Sequence, residues 1–112
     1  MLSVNAKPIY LYSYPVHMQK GFEGLSALVE QAFPNTLFSG SYFVFLNRSM
    51  NKLKVLYFDI DGMAIWYKKL EKGTFNFIKG SKNGEITRKD FLMILEGITP
   101  QKINRRFSLK NR

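Results

Sequence analysis

Apolar residues return along this chain with two different spacings, and each spacing predicts a different element. Over residues 20–33 they recur every three or four positions, which predicts an amphipathic helix that Pro34 ends. Elsewhere aliphatic, β-branched and aromatic residues form short dense runs that are typical of strands. The predicted strands span residues 9–12, 42–46, 53–60, 63–70 and 74–78.

The clearest turn in the sequence is Asp59-Ile60-Asp61-Gly62, which joins two of these strands. Aspartate bonds readily to nearby backbone and glycine supplies a positive φ, so the tetrapeptide predicts a tight hairpin. Strand 53–60 carries a run of consecutive apolar residues and is therefore expected to be central and covered on both faces. The helix over residues 20–33 would cover one of those faces.

The last third of the chain is more polar and is predicted to contain one further helix. Residues 79–85 read as a polar loop, and Thr87-Arg88-Lys89-Asp90 has the spacing of a capping box. The helix it opens would end at Gly97 and Pro100.

The expected fold class is α+β: a small antiparallel β-meander of about four strands packed by an N-terminal amphipathic helix, with a C-terminal helix and a basic tail. Residues 1–100 would form a single domain and residues 101–112 the tail.

Composition narrows the class of protein. The chain has 112 residues, which suits one domain, and no cysteine, which excludes disulfides, thiolate zinc sites and a cysteine nucleophile. No apolar run approaches the roughly 20 residues that span a bilayer, so no membrane association is expected. Lys7 and Pro8 interrupt the region where a signal peptide would be apolar, so the expected location is cytoplasmic.

The net charge of +9 is unevenly placed. Residues 1–67 are nearly neutral, and the excess lies within residues 68–89 and 102–112. Localised positive charge favours a polyanion, because binding releases its condensed counterions. The candidate DNA-binding residues are Lys68, Lys69, Lys72, Lys79, Lys82, Arg88, Lys89, Arg105 and Arg106. Tyr67, beside two lysines, is the candidate for stacking on a base.

Residues suited to catalysis are few. His17 is the only histidine and lacks an evident partner, so we expect a surface or capping role rather than a general base. Asp59 and Asp61, with Glu71 as a possible third carboxylate, are the nearest approach to a metal site. The turn itself explains the two aspartates, so we expect no metal site there. Because the sequence also lacks a catalytic set of residues, we expect no enzyme activity and no cofactor.

Several blocks of sequence together resemble one protein family. They are MQKGFEGL at 18–25, FSG at 38–40, FVF at 43–45, KVLYFD at 54–59, YKKLEKG at 67–73 and LEGI at 95–98. In this order and spacing they resemble the accessory protein, called TnpB, that the second open reading frame of IS-sixty-six family insertion sequences encodes. The resemblance implies a small intracellular protein that supports a DDE-type transposase, which itself cuts and joins the DNA.

The sequence departs from that family's pattern in two segments. His17 and Gln19 stand where an acidic residue and an arginine are common, although Lys20 is kept. Residues 47–52 replace a more arginine-rich turn. If the family uses an ion pair in the first segment, this chain lacks it.

Three hypotheses of function follow from these observations. The first is a non-catalytic accessory factor for DNA transposition that binds DNA through its basic surface and assists the transposase, its second partner. The alternative is an adaptor that binds the transposase without intrinsic DNA binding. The third is a metal-dependent nuclease that uses Asp59 and Asp61.

Overall fold

The computed structural model describes residues 7–76 and 84–96. Within them the chain forms one five-stranded sheet, in the order β4-β3-β2-β1-β5, and two helices. Strands β1 and β2 are parallel, and every other neighbouring pair is antiparallel. The elements are β1 (Ile9–Leu11), α1 (Phe22–Ala32), β2 (Tyr42–Leu46), β3 (Lys52–Asp59), β4 (Gly62–Lys69), β5 (Gly84–Ile86) and α2 (Arg88–Glu96).

One half of the sheet, from the β4 edge to β2, agrees with the prediction from sequence. Strands β2, β3 and β4 form the predicted antiparallel meander, with β3 between its two neighbours. Helix α1 covers one face, where Leu56 is buried, and Val55 is buried on the opposite face. The α+β class is therefore confirmed, and β3 is covered on both faces as its unbroken apolar run indicates.

The predicted layout of the rest of the sheet is wrong. Strand β1 precedes α1 and pairs with β2, so the sheet is mixed rather than a pure antiparallel meander. A parallel pair needs a crossover between its strands, and α1 provides it. Residues 74–76, predicted to begin a strand, have no strand structure, and Phe75 is buried in the core instead. The strand at the edge beside β1 is β5, which comes from a segment predicted largely as a polar loop.

The protein has a helix on each face of the sheet. Successive residues of a strand point to opposite faces of the sheet, so they belong alternately to the core on the α1 face and the core on the α2 face. The α1 face buries Leu25, Val29, Phe33, Phe43, Phe45 and Leu56. The α2 face buries Val44, Val55, Phe75, Phe91 and Ile94.

The β3–β4 hairpin has a two-residue turn, since Asp59 pairs directly with Gly62. The prediction that a glycine supplies the positive φ is wrong, because Ile60 adopts it, at φ 52°. Ile60 is also 91% exposed, so its side chain is free of the core. Asp59 and Asp61 lie on either side of Ile60, so the geometry of the turn is enough to explain why two aspartates stand two positions apart.

The start of α2 has the predicted cap. The backbone N–H of Asp90 donates to Thr87 Oγ1 at 3.0 Å, which satisfies one of the first amides of the helix. Gly97 and Pro100, the predicted end of this helix, and the tail at 101–112 lie outside the described residues. Over the described residues, neither helix is long and apolar enough to cross a membrane.

Candidate functional site

A concave basic site lies on the α1 face, beside the entry to α1. Its volume is about 490 Å³. We call it the basic cavity, because Arg48 and Lys52 line it and none of its lining residues is acidic. Its walls come from the segment before α1, the β2–β3 turn together with the first residue of β3, and one residue of β4. The lining residues are Pro15, Val16, His17, Met18, Gln19, Asn47, Arg48, Ser49, Lys52 and Tyr67.

Asn47 builds the turn that carries the cationic wall. Its Oδ1 accepts from the backbone N–H of Asn51 at 3.1 Å and from that of Lys52 at 3.0 Å. Its Nδ2 donates to Asn51 Oδ1 at 2.7 Å. These bonds close the turn through one side chain, so Arg48 is presented on an ordered loop.

Lys54 is a buried cation behind this wall. It is 7% exposed, and its Nζ donates to the carbonyl oxygens of Met18 at 2.6 Å and Lys20 at 2.8 Å. The same Nζ lies 4.8 Å from the centroid of the Tyr67 ring. A buried ammonium is costly unless hydrogen-bonded, and here its bonds tie β3 to the segment that leads into α1.

The register of β3 and β4 explains which side chains share the cavity side of the sheet. Lys54 is paired with Tyr67, and Lys52 with Lys69. Because paired residues of an antiparallel sheet project to the same face, Lys69 lies on the same face as Lys52 and Tyr67. Lys68 is paired with Leu53 and belongs to the opposite face. The Lys52–Lys69 pair thus sets two like charges against each other, which is unfavourable in the free protein.

The structure brings together only some of the basic residues predicted from sequence. Tyr67 lines the basic cavity and Lys69 lies on its side of the sheet. Lys72 is exposed in the segment after β4. That segment is joined to the β2–β3 turn by a hydrogen bond from the Leu70 N–H to the Asn51 carbonyl, at 2.8 Å.

The other predicted residues are elsewhere. Arg88 and Lys89 lie in the first turn of α2, which follows β5 at the other edge of the sheet, and three strands separate β5 from β4. They therefore do not form one surface with Lys69. Four candidates fall outside the described residues: Lys79, Lys82, Arg105 and Arg106.

Tyr67 is the exposed ring among the strand aromatics, as predicted. It is 49% exposed, whereas Tyr57, Phe58 and Trp66 are half-buried and the aromatic residues of β2 are buried. Its ring is therefore available at the cavity while its strand neighbours belong mainly to the core.

The structure separates Glu71 from the two aspartates of the hairpin. Asp59 and Asp61 flank the tip of the hairpin, whereas Glu71 follows the other end of β4. The eight residues of that strand, at about 3.3 Å each, place Glu71 roughly 25 Å away. The suggestion that Glu71 joins the aspartates is wrong. Among the described residues, no group of three or more histidine, aspartate or glutamate side chains is placed to hold a metal ion.

One tyrosine of the sheet has a perturbed acidity. Burial raises the pKa of Tyr57 above its ordinary value of 10.0, and the neighbouring Tyr42 and Asp59 raise it further. Its ring lies 5.1 Å from that of Tyr42, on the α2 face of the sheet. This shift belongs to packing of that face and not to the basic cavity.

Reasoning from sequence missed the cationic wall of the cavity. Arg48 and Lys52 of the wall, and Lys54 buried behind it, belong to the near-neutral part of the chain, where the distribution of charge gives no sign of a site. A lysine inside the apolar run of β3 was one available signal. The other was the departure from the family pattern, because both departing segments, at residues 17–19 and 47–52, line this cavity.

Comparison with known proteins identifies the family. The family described as "IS66 Orf2 like protein" matches residues 7–105. The chain is also 30% identical, over 100 residues, to the "Uncharacterized protein y4jC" of Sinorhizobium fredii (strain NBRC 101917 / NGR234), across 88% of this chain and 85% of that protein. No solved structure matches the chain. The match confirms the resemblance read from sequence: the chain belongs to the IS66 Orf2-like family, a family of transposition-associated accessory proteins and not a known catalytic family.

Proposed function

We propose that the protein binds DNA through the basic cavity and the Lys52–Lys69 pair, and so assists the transposase of its own insertion sequence. The observation that carries the proposal is the pairing of two lysines in register beside a cavity with a cationic wall and no acidic lining residue. Membership of the family supports the connection with transposition.

The electrostatics of the site favour a polyanion. Like charges directly opposite each other on a sheet destabilise the free protein, and a phosphate between Lys52 and Lys69 would offset that repulsion. Arg48 can donate two parallel bonds to a second phosphate. Such contacts give affinity with little sequence preference, because they read the backbone and not the bases.

The residues predicted from sequence contribute unequally in this proposal. Lys69 extends the basic cavity, whereas Lys68 is on the other face of the sheet. Lys72, exposed three residues after Lys69, is proposed to add to the positive charge on the same side. Arg88 and Lys89 act only through the long-range field, which salt screens over about 10 Å at 0.1 M. For Lys79, Lys82, Arg105 and Arg106, a role in DNA binding remains a prediction from sequence.

The direct test is the salt dependence of DNA affinity. Each phosphate contact contributes about 0.7 to 0.9 to the slope of log K against log salt. We expect Lys52→Gln with Lys69→Gln to weaken binding and to lower that slope by about 1.4 to 1.8. The matched control, Arg88→Gln with Lys89→Gln, removes the same charge at the other edge of the sheet and should leave the slope nearly unchanged.

Two outcomes would reject the proposal. The first is that the wild-type protein binds neither duplex nor single-stranded DNA at low salt. The second is that both double variants lower the slope equally, which would mean that total charge matters and the cavity does not. Binding to the transposase in high salt, without any DNA affinity, would support the adaptor hypothesis instead.

A further inference from the structure

We infer that the basic cavity receives one unpaired nucleotide, with its base stacked on Tyr67 and its flanking phosphates beside Arg48 and Lys52. This inference rests on the proposed function, since it specifies which form of DNA the same site prefers. Three properties of the cavity carry it: a fixed aromatic ring, a suitable size, and the separation of cationic from neutral polar groups.

The Tyr67 ring is held in place before any ligand binds. Lys54 Nζ lies 4.8 Å from the ring centroid, and two carbonyl oxygens fix that ammonium. A cation at this distance attracts the ring. The ring is nevertheless 49% exposed, so part of its surface remains available. A ring that is already ordered loses little conformational freedom when a base stacks on it.

The position of the Tyr67 ring favours an unpaired base. The bases of a duplex are stacked inside it and present only their edges to a protein. Tyr67 stands in the wall of a concave site, so a base must leave its stack to meet the ring. The cavity volume of about 490 Å³ falls within the roughly 300–1,000 Å³ typical of sites for small organic ligands.

The lining groups match the two parts of a nucleotide. Arg48 and Lys52 supply positive charge for phosphates. Gln19 and Ser49 also line the cavity, and both can donate or accept hydrogen bonds at a base edge. Stacking accepts any base, because every base has a π-face. The site is therefore expected to prefer unpaired DNA over duplex without strong sequence choice.

The experiment compares the affinity of the full chain for three oligonucleotides of equal length: a single strand, its duplex, and a single strand with abasic positions. The wild-type protein should bind the normal single strand most tightly. Tyr67→Leu should weaken single-strand binding about 5- to 140-fold, the range expected for losing one stacked base. It should change duplex binding less than two-fold.

Two control variants separate stacking from other effects. Tyr67→Phe keeps the ring and should retain single-strand affinity. Phe38→Leu removes another exposed aromatic ring, 67% exposed and outside the cavity, and should have no effect. Circular dichroism of each variant checks its folding, and the abasic strand tests stacking on the wild-type protein without any substitution.

The results distinguish this inference from the proposed function. If the wild-type protein binds all three oligonucleotides equally, or if Tyr67→Leu weakens duplex and single strand alike, the stacking inference is overturned while DNA binding stands. If none of the oligonucleotides binds at low salt, the proposed function itself fails.

Discussion

Two regions of this protein are rich in positive charge along the sequence, but their charged neighbours in the folded structure differ. At the end of β4, Lys69 faces Lys52 beside a cavity that Arg48 also lines. At the start of α2, Arg88 and Lys89 are exposed, and the acidic residues Glu85 and Asp90 are close by in the chain. Glu71 follows Lys69 in the chain, but no acidic residue lines the cavity. The first region therefore sets cations against cations beside a cavity without acidic lining, whereas the second has both signs within residues 85–90.

The difference shows that the register of strands, and not the count of charges, locates a candidate site. Lys68 and Lys69 are neighbours in sequence, yet the pairing of β4 with β3 places only Lys69 on the cavity side. Like charges that face each other across two strands of the free protein are a reason to look for an anionic partner. Arg88 and Lys89 stand at a helix N-terminus, where positive charge carries a small cost.

The largest expected effect concerns the buried cation. Lys54→Met keeps most of the apolar stem but leaves the Met18 and Lys20 carbonyls without this donor. We expect the free energy of unfolding to fall by about 1–3 kcal/mol and DNA affinity to fall with it. Urea denaturation measures the first quantity. Lys89→Met, an exposed counterpart, should change stability by less than about 0.5 kcal/mol. Equal stabilities for the two variants would show that Lys54 does not hold the cavity wall.

The next largest effect concerns the polar side chains that hold the backbone of each region in place. Asn47→Ala removes two acceptor bonds and one donor bond from the β2–β3 turn, whereas Thr87→Ala removes the cap of α2. Each should cost about 1–2 kcal/mol of stability in thermal or urea unfolding. Only Asn47→Ala should also weaken DNA binding, since it loosens the loop that carries Arg48. A loss of affinity in Thr87→Ala would contradict the assignment.

A smaller effect distinguishes two adjacent lysines. Lys69→Gln relieves the repulsion from Lys52, so at low salt we expect it to raise the free energy of unfolding by about 0.2–0.5 kcal/mol. Lys68→Gln, opposite Leu53, should not. The gain should disappear when salt is added, because salt screens exposed charges. A gain for Lys68→Gln of the same size would mean that only net charge is being relieved.

The smallest effect at neutral pH is that of Tyr57, on the α2 face. Its pKa is raised in the folded state, chiefly by burial, so the unfolded chain loses this proton first. Stability from this group is complete below pH 10 and is lost as pH rises through the folded pKa. We expect Tyr57→Phe to reduce the fall in stability above pH 10, measured by urea denaturation at several pH values. An unchanged fall would show that other groups cause it.

Sequence predicted the parts of the fold that depend on long periodic segments. Helix α1 and the β2–β3–β4 meander have enough residues for their spacing to be read. Strands β1 and β5 have only three residues each, and their pairing joins residues that are distant in the chain. A pattern of that length cannot specify a partner, so the mixed order of the sheet was missed.

The candidate site was also predicted only in part, because some of its features are local in the sequence and others depend on contacts between distant residues. Tyr67 and Lys69 are visible as an aromatic and basic end to an apolar strand. The opposition of Lys52 and Lys69 depends on the register of two strands, and the acceptors of Lys54 lie 34 and 36 residues away in sequence. Such relations arise only when the chain folds, so composition alone directs attention to Arg88 and Lys89 as strongly as to Lys69.

The most direct test of the central claim is an NMR titration of the isotope-labelled full chain with a short single-stranded DNA. If the basic cavity is the binding site, the amide signals of residues 47–52 and 67–69 will shift first and most, while those of Arg88, Lys89 and Asp90 will scarcely move. Shifts concentrated at the start of α2, with the signals of the β2–β3 turn unchanged, would contradict it.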